Sequence, residues 1–303
     1  MKPLSKFLIL CLAIILIIMG FLFGMTFVQI NIKKELKLTN NFHYSEISQK
    51  GYYDEFFSGA GDCRDNYSPK IKGLMVNHHL LAGKFMSHAF CAVATDKPMT
   101  VIIISPNHFM IGHGQVTISA YDFQTPYGVL QSGQKLVKKM SDVGIATIDE
   151  GPFEKEHGIY NLTPFIKKAM PNARIVPIII KDNISQENKD KLVDFLANNL
   201  PENSLIVASL DFSHYLTSEQ ADANDVKTLE IINNLDYQAV KDLNKDNQPG
   251  NVDSKPTLEM YLKVMSMEKA KNFTLLNHSN SAKLVGDLSI PETTSYIVGY
   301  FSR

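Results

Sequence analysis

Tryptophan is missing from this chain and cysteine occurs only three times in 303 residues. So few cysteines exclude a disulfide-dense framework or a Cys-rich zinc fold. Neither sign of charge is in excess: Lys plus Arg total 30 and Asp plus Glu 31, a formal net charge of −1. That balance leaves no footprint for nucleic acid. No Walker loop and no Gly-x-Gly-x-x-Gly turn occurs, so nucleotide and dinucleotide binding lack support. Ser209 and Ser213 sit in no Gly-x-Ser-x-Gly elbow, which argues against either as a hydrolase nucleophile. What remains is ordinary for a folded chain: 45% hydrophobic and 20% charged residues exclude a disordered tail or a collagen-like rod. The length permits one large α/β domain or two small ones.

One hydrophobic run stands apart. Phe7 to Val28 carries no charge over 22 residues. As a helix at about 1.5 Å per residue it would measure roughly 33 Å, enough for a hydrocarbon core of about 30 Å. Cleaved signal peptides have apolar regions of only about 7–15 residues. No small-x-small cleavage site comes after it, and Cys11 lacks the small residue that precedes a lipidated cysteine. The run therefore reads as an uncleaved signal anchor, a single-pass transmembrane helix in the cell membrane. Lys2 and Lys6 precede it and hold the N-terminus on the cytoplasmic side, while Lys33, Lys34 and Lys37 weaken that signal. The expected domain is extracytoplasmic. There Cys63 and Cys91 could pair, which stabilises by roughly 3–4 kcal/mol in the chain-entropy model; two separate buried thiols are the equal alternative.

This pattern divides the chain into three segments: 1–30 as membrane anchor, 31–68 as linker and domain entry, and 69–303 as an α/β domain. Within the last, strand-like and helix-like patterns alternate. Runs 71–76, 99–104 (MTVIII), 174–180 (RIVPIII) and 204–209 (SLIVAS) are short and apolar on both faces, as inner strands are. Helical spacing covers 82–94, 134–143, 159–169, 185–200, 218–235 and 256–267, and 273–277 and 294–301 read as closing strands. The expected fold class is α/β, a single domain with a central mixed sheet flanked by helices.

The placement of the nine histidines carries the functional reading. His78 and His79 come directly after the first strand, His108 after the second in SPNHFMIGHG, and Asp211 and His214 after the run 204–209. His157 opens a helix in EKEHGIYNLTPF. In open α/β sheets the loops at the carboxyl ends of the strands line the binding crevice. Neutral imidazoles bind Fe, Cu, Zn or Ni, and a carboxylate completes a two-His-one-carboxylate set with open positions. His78 or His79 with His108 and Asp211 fits that plan, and an unligated His157 or His214 supplies acid–base chemistry. A lone histidine is more often a hydrogen-bonded core or loop residue, so His43, His88, His113 and His278 are set aside as structural or solvated.

The motifs at these same residues resemble a known family. HHLLAG (78–83), SPNHFMIGHG (105–114), TPYG (125–128), EHGIYNLTPF (156–165), RIVPIII (174–180) and SLDFSHY (209–215) are similar, in order, to the motifs of the Memo-like family, called AmmeMemoRadiSam system protein B in bacteria. The resemblance covers roughly residues 70–300. It implies a class III extradiol dioxygenase-like fold and a metal site, iron or copper in some members. Carried over by motif, His78 (with His79 adjacent), His108, His157, Asp211 and His214 match site positions. One stretch departs: a cysteine expected four residues before a proline is Val252 in NVDSKPTL, with Asp253 next to it. A carboxylate in place of thiolate disfavours Cu(I) and favours Fe(II), Mn(II) or Zn(II).

The leading expectation is a membrane-anchored, dioxygenase-like metal protein with Fe(II) favoured and Zn or Cu as alternatives. Its ligands are His78 and His108 with Asp211 or Asp253, and His157 and His214 handle protons. The alternatives are a non-catalytic binder of a peptide or small molecule on the same scaffold, which the missing cysteine motivates, and a zinc-dependent hydrolase.

Overall fold

A computed structural model describes Met19 and residues 41–244 and 250–303. In chain order its strands are β1 (Phe42–Tyr44), β2 (Ile71–Val76), β3 (Thr100–Pro106), β4 (Val116–Ile118), β5 (Asp122–Thr125), β6 (Gly128–Ser132), β7 (Thr147–Ile148), β8 (Arg174–Ile180), β9 (Ser204–Ser209), β10 (Phe212–Leu216), β11 (Asn272–Asn280) and β12 (Thr293–Ser302). They form one mixed sheet in the order β1-β5-β6-β8-β3-β9-β2-β12-β10. Beside that path, β11 pairs with β12 and β4 with β7 and β8.

The four apolar runs β2, β3, β8 and β9 are the middle of the sheet, in the order β8-β3-β9-β2 and all parallel. Val, Ile and Leu dominate them because both faces are covered, the condition parallel sheets require. Their registers align: Val76 lies opposite Ser209 and Ile104 opposite Ala208. The loops that leave the carboxyl ends of β2, β3 and β9 therefore emerge along one edge.

Helices cover both faces. On one side Lys50–Phe57, Gly83–Ala92 and Thr163–Ala169 pack together, burying Tyr53, Phe57, Phe90 and Phe165 in the core. Each such aromatic contributes on the order of 1.5–3 kcal/mol by leaving water. On the other side Gln186–Asn199 packs on Lys255–Met267, which lies across β3 and β9. That contact needs Gly73 in β2, since a Cβ there would come within 2.3 Å of Met265 Sδ and 2.5 Å of Tyr261 Oη. The mixed, helix-flanked α/β sheet matches the expected class.

Segment 42–68, expected as linker and domain entry, contributes β1, parallel to β5, and the helix Lys50–Phe57; the compact unit runs from Phe42 to Arg303. A disulfide joins Cys63 to Cys91, 28 residues apart, and ties this segment to the helix Gly83–Ala92. Of the two open alternatives for these cysteines, the pair is formed. The expected anchor Phe7–Val28, Met19 apart, lies outside the described residues. Among the described residues no helix is long and apolar enough to cross a membrane.

Candidate metal centre

The edge where β2, β3 and β9 end opens into a cavity of about 900 Å³. All seven residues singled out from the sequence line it: His78, His79, His108, His157, Asp211, His214 and Asp253. They come from segments remote in sequence: the loops after β2, β3 and β9, the turn His157–Tyr160, the strand β10 and the lead-in to the helix Lys255–Met267.

His78, His108 and His157 form the tightest group, and they could hold a metal ion: one ligand atom from each lies within 4.8 Å of the others. The ring centroids of His78 are 4.9 Å from His108 and 5.0 Å from His157, and those of His108 and His157 are 4.1 Å apart. His157, expected as a proton-handling group, thus stands inside the cluster. Of the adjacent pair, His78 rather than His79 belongs to it; His79 Nδ1 is bonded to the Tyr296 hydroxyl at 2.8 Å. His214 reaches the cavity from an irregular strand, β10, whose register shifts on both sides of it. The next residue, Tyr215, has φ +58°, a left-handed conformation that a bulky side chain adopts only under constraint.

Hydrogen bonds fix which nitrogen each imidazole offers. Ser209 Oγ donates to the Gly158 carbonyl at 2.6 Å, so it accepts from His78 Nδ1 at 3.0 Å. The lone pair of His78 is left on Nε2. His108 Nδ1 donates to Glu156 Oε1 at 2.6 Å, which turns Nε2 toward Asp253, where a metal would have to displace its proton. Metal-bound histidines are held in this way, by a carboxylate or hydroxyl on the far nitrogen. Glu156 is fully buried and also accepts the backbone N–H of His108 and of Gly158. It caps the turn His157–Tyr160, so one carboxylate orients two of the three histidine-bearing loops. Gly158 is required here, because a Cβ would lie 2.0 Å from Ser105 Oγ.

Asp253 Oδ2 lies 3.5 Å from His78 Nε2 and 3.7 Å from His108 Nε2. Donors held about 2.1 Å from a common ion stand roughly 3.0–3.5 Å apart, close to these values. The same oxygen accepts the backbone N–H of Asp211, and the buried Oδ1 has no partner among the described residues. A buried carboxylate oxygen with no donor is a costly arrangement that a cation relieves. The donor set fits a divalent metal. Val252, at the position of the expected cysteine, is buried and its backbone bridges to Phe212; Asp253 beside it brings the donor atom to the imidazoles. Ser254 caps the helix Lys255–Met267, which fixes Asp253 one residue before that cap.

Asp211 also borders the cluster, with Oδ2 3.6 Å from His78 Nε2 and Oδ1 accepting the His78 N–H. Burial, and then the neighbouring Asp253, push its carboxyl well above the usual carboxylate range. Burial likewise holds His78 far below the ordinary imidazole value, and lowers His79, His157 and His214. These four rings are neutral near pH 7. His108 is the exception: burial opposes its charge, but the carboxylates of Asp253 and Glu156 raise it to about 10.

Glu156 and Ser209 act as orienting groups, a role that the sequence pattern does not disclose. The Glu-His dipeptide signals only its histidine, and Ser209, which invites a nucleophile reading, instead holds His78. The four histidines set aside have partners of their own, Glu150, Asn277, Asp149 and Asp225.

Known proteins resemble this chain in sequence. A MEMO1 family protein of Caldivirga maquilingensis is 29% identical over 176 residues, 55% of this chain and 62% of that one. The chain thus spans a little under two thirds of that relative. A MEMO1 family protein of Methanopyrus kandleri is 27% identical over 255 residues, 80% of this chain and 86% of the relative. Among solved structures, an uncharacterised protein from Escherichia coli K12 aligns at 14% identity with a TM-score of 0.48, over 76% of this chain and all of that one, a likeness too loose to bear on function. The family model described as Memo-like protein matches residues 60–301, which include the sheet from β2 onward and the whole histidine–carboxylate cluster. The chain belongs to the Memo-like protein family.

Proposed function

We propose that the crevice is a non-haem Fe(II)-type redox centre with His78 and His108 as imidazole ligands and Asp253 as the carboxylate. The observation that carries this reading is Asp253 Oδ2 at 3.5 and 3.7 Å from the Nε2 atoms of His78 and His108. Two imidazoles and one carboxylate are the ligand set of iron sites that keep positions open for dioxygen and substrate. When bound, the iron supplies activation of dioxygen or of a small redox substrate. The chain's own residues do the rest. Ser209 and Glu156 hold the two ligand rings in register, and His157 and His214, kept neutral by burial, can take up a proton from substrate. Asp211, whose carboxyl burial holds well above the usual carboxylate range, borders the same crevice 3.6 Å from His78 Nε2. The hard Asp253 carboxylate favours iron over Cu(I). The common edge for all site loops supports the class III extradiol dioxygenase-like reading of the fold.

The uncharged run Phe7–Val28 supports a single-pass anchor, and the Cys63–Cys91 disulfide supports a domain in an oxidising, extracytoplasmic compartment.

The trio His78, His108 and His157 favours a second reading, a three-imidazole zinc site that activates water for hydrolysis. Metal identity separates the two. Protein purified without chelators carries iron and consumes dioxygen with a reductant under the first reading. Zinc as the only bound metal, with no dioxygen uptake, contradicts it.

A further inference from the structure

One wall of the cavity comes from residues that precede the stretch matching the family. Glu46, Ile47 and Tyr52 line it, while the match begins at residue 60. The wall is firmly built. Tyr53 and Phe57 of the helix Lys50–Phe57 are buried in the core. Asp54 of the same helix accepts from the Tyr127 hydroxyl at 2.7 Å and pairs with Lys168. The Tyr52 ring stands edge-on to Tyr53 at 5.3 Å and to Phe56 at 5.0 Å. Backbone contacts continue up to Glu46, since Ser45 N–H donates to Gln124 and the Ser45 hydroxyl to Ile47.

The rim of the cavity carries negative charge only. Glu46 stands there, the other acidic groups of the lining, Asp211 and Asp253, lie at the floor beside the imidazoles, and no lysine or arginine lines the cavity among the described residues. Asp211 and Asp253 are taken up by backbone N–H groups and imidazoles at the floor. Glu46 is exposed at the rim and has no ion-pair partner among the described residues. Its charge acts on the Tyr52 and Tyr160 hydroxyls and on His79, and Ile47 and Leu81 add apolar surface to the same lining. An unpaired carboxylate among tyrosine rings is the chemistry that receives an ammonium or guanidinium group, the carboxylate by charge and the rings by cation–π attraction. At the rim the same charge repels carboxylate and phosphate.

We propose that Glu46, with Tyr52 and Tyr160, recognises a cationic end of the substrate, so that the site takes an amine- or guanidine-bearing molecule with an apolar body and rejects anions. The proposal rests on the reading of this crevice as the working site, but not on the identity of the metal. Ile47 and Leu81 receive the apolar body, whose length sets how far the reacting end reaches toward the histidines.

Three probes of like shape test it on the full-length protein as purified: phenethylamine, 2-phenylethanol and 3-phenylpropionate, titrated by calorimetry, with metal content measured on each sample. Phenethylamine is expected to bind at least about tenfold more tightly than 3-phenylpropionate, with the alcohol between them. Glu46→Gln should shrink that preference to about threefold or less, and Glu46→Lys should invert it, both with unchanged metal content. Equal binding of the three, no binding of any, or a preference that survives Glu46→Gln overturns the proposal. A preference that depends on Glu46 in protein devoid of metal supports this site and counts against the metal centre, so the two readings fail separately.

Discussion

Replacing Ser209 by alanine isolates the orientation of His78. The hydroxyl makes two buried bonds, donating to the Gly158 carbonyl at 2.6 Å and accepting from His78 Nδ1 at 3.0 Å. Alanine fills nearly the same space, so the packing change is small; what is lost is one partner for a buried donor and one for a buried acceptor. Leaving such groups unpaired costs about 1–3 kcal/mol each, so a total of about 2–6 kcal/mol is expected. For a domain of this size that lowers the melting temperature by roughly 5–20 °C. The second effect is specific to the metal. Without its acceptor the His78 ring can turn, or hold its proton on Nε2, and loss of such a supporting bond typically weakens metal binding about 10–100-fold. Burial already keeps His78 neutral, so proton competition does not mask the change. Competition with a fluorescent chelator reads the affinity, and calorimetric melting of metal-free protein reads the stability. Ser209→Thr, which keeps the hydroxyl, should restore the affinity. A Ser209→Ala protein that melts lower yet binds metal within about threefold of wild type refutes the claim that this bond orients a ligand.

The same geometry has other consequences. His108 is raised from 6.5 to about 10 in the metal-free site, so its bonds to Asp253 and Glu156 stabilise the fold fully below pH 6.5, and that contribution is lost as pH rises through about 10. Melting of metal-free protein should therefore fall across that window, and Asp253→Asn should flatten the fall. Metal must displace the same proton, so affinity should rise with pH over the same range, with one proton released on binding in a buffer-dependence titration. Gly158→Ala forces a Cβ against Ser105 Oγ, and the shift of the His157 turn should cost about 1–3 kcal/mol in denaturant melts and weaken metal binding. Thiol titration of unfolded, unreduced full-length protein should detect Cys11 alone, and replacing Cys63 and Cys91 by serine should destabilise by about 2–4 kcal/mol.

The parts of the fold legible from residues alone are those where one physical cause dominates. β2, β8 and β9 have the bounds that their apolar runs suggest, because strands covered on both faces carry an unbroken Val/Ile/Leu signal. β1, β4, β5, β6, β7 and β10 leave no such signal. They are two to five residues long and, the local β5–β6 hairpin apart, owe their existence to partners far away in sequence, such as Phe42 opposite Asp122. The helix Lys50–Phe57 lies in a stretch whose glycines and polar residues suggest a loop, and tertiary packing of Tyr53 and Phe57 overrides that local tendency.

The convergence of the site is legible for a topological reason. Strand ends are readable, and parallel strands in register release their loops at one edge. The roles within the site are less so. His157 lies beyond no strand end, and its approach to His108 depends on the Glu156 cap, which no spacing rule reveals. The choice between Val252 and Asp253 depends on how segment 250–253 pairs by backbone bonds with 211–214. Glu46 lies where composition suggests a tether, so its position on the cavity rim emerges only from the fold.

Metal content decides the central claim most directly. Full-length protein prepared without chelators, compared by elemental analysis with a His78→Ala/His108→Ala variant of matching circular dichroism, should carry stoichiometric iron that the variant lacks. Equal and negligible metal in both preparations contradicts the account.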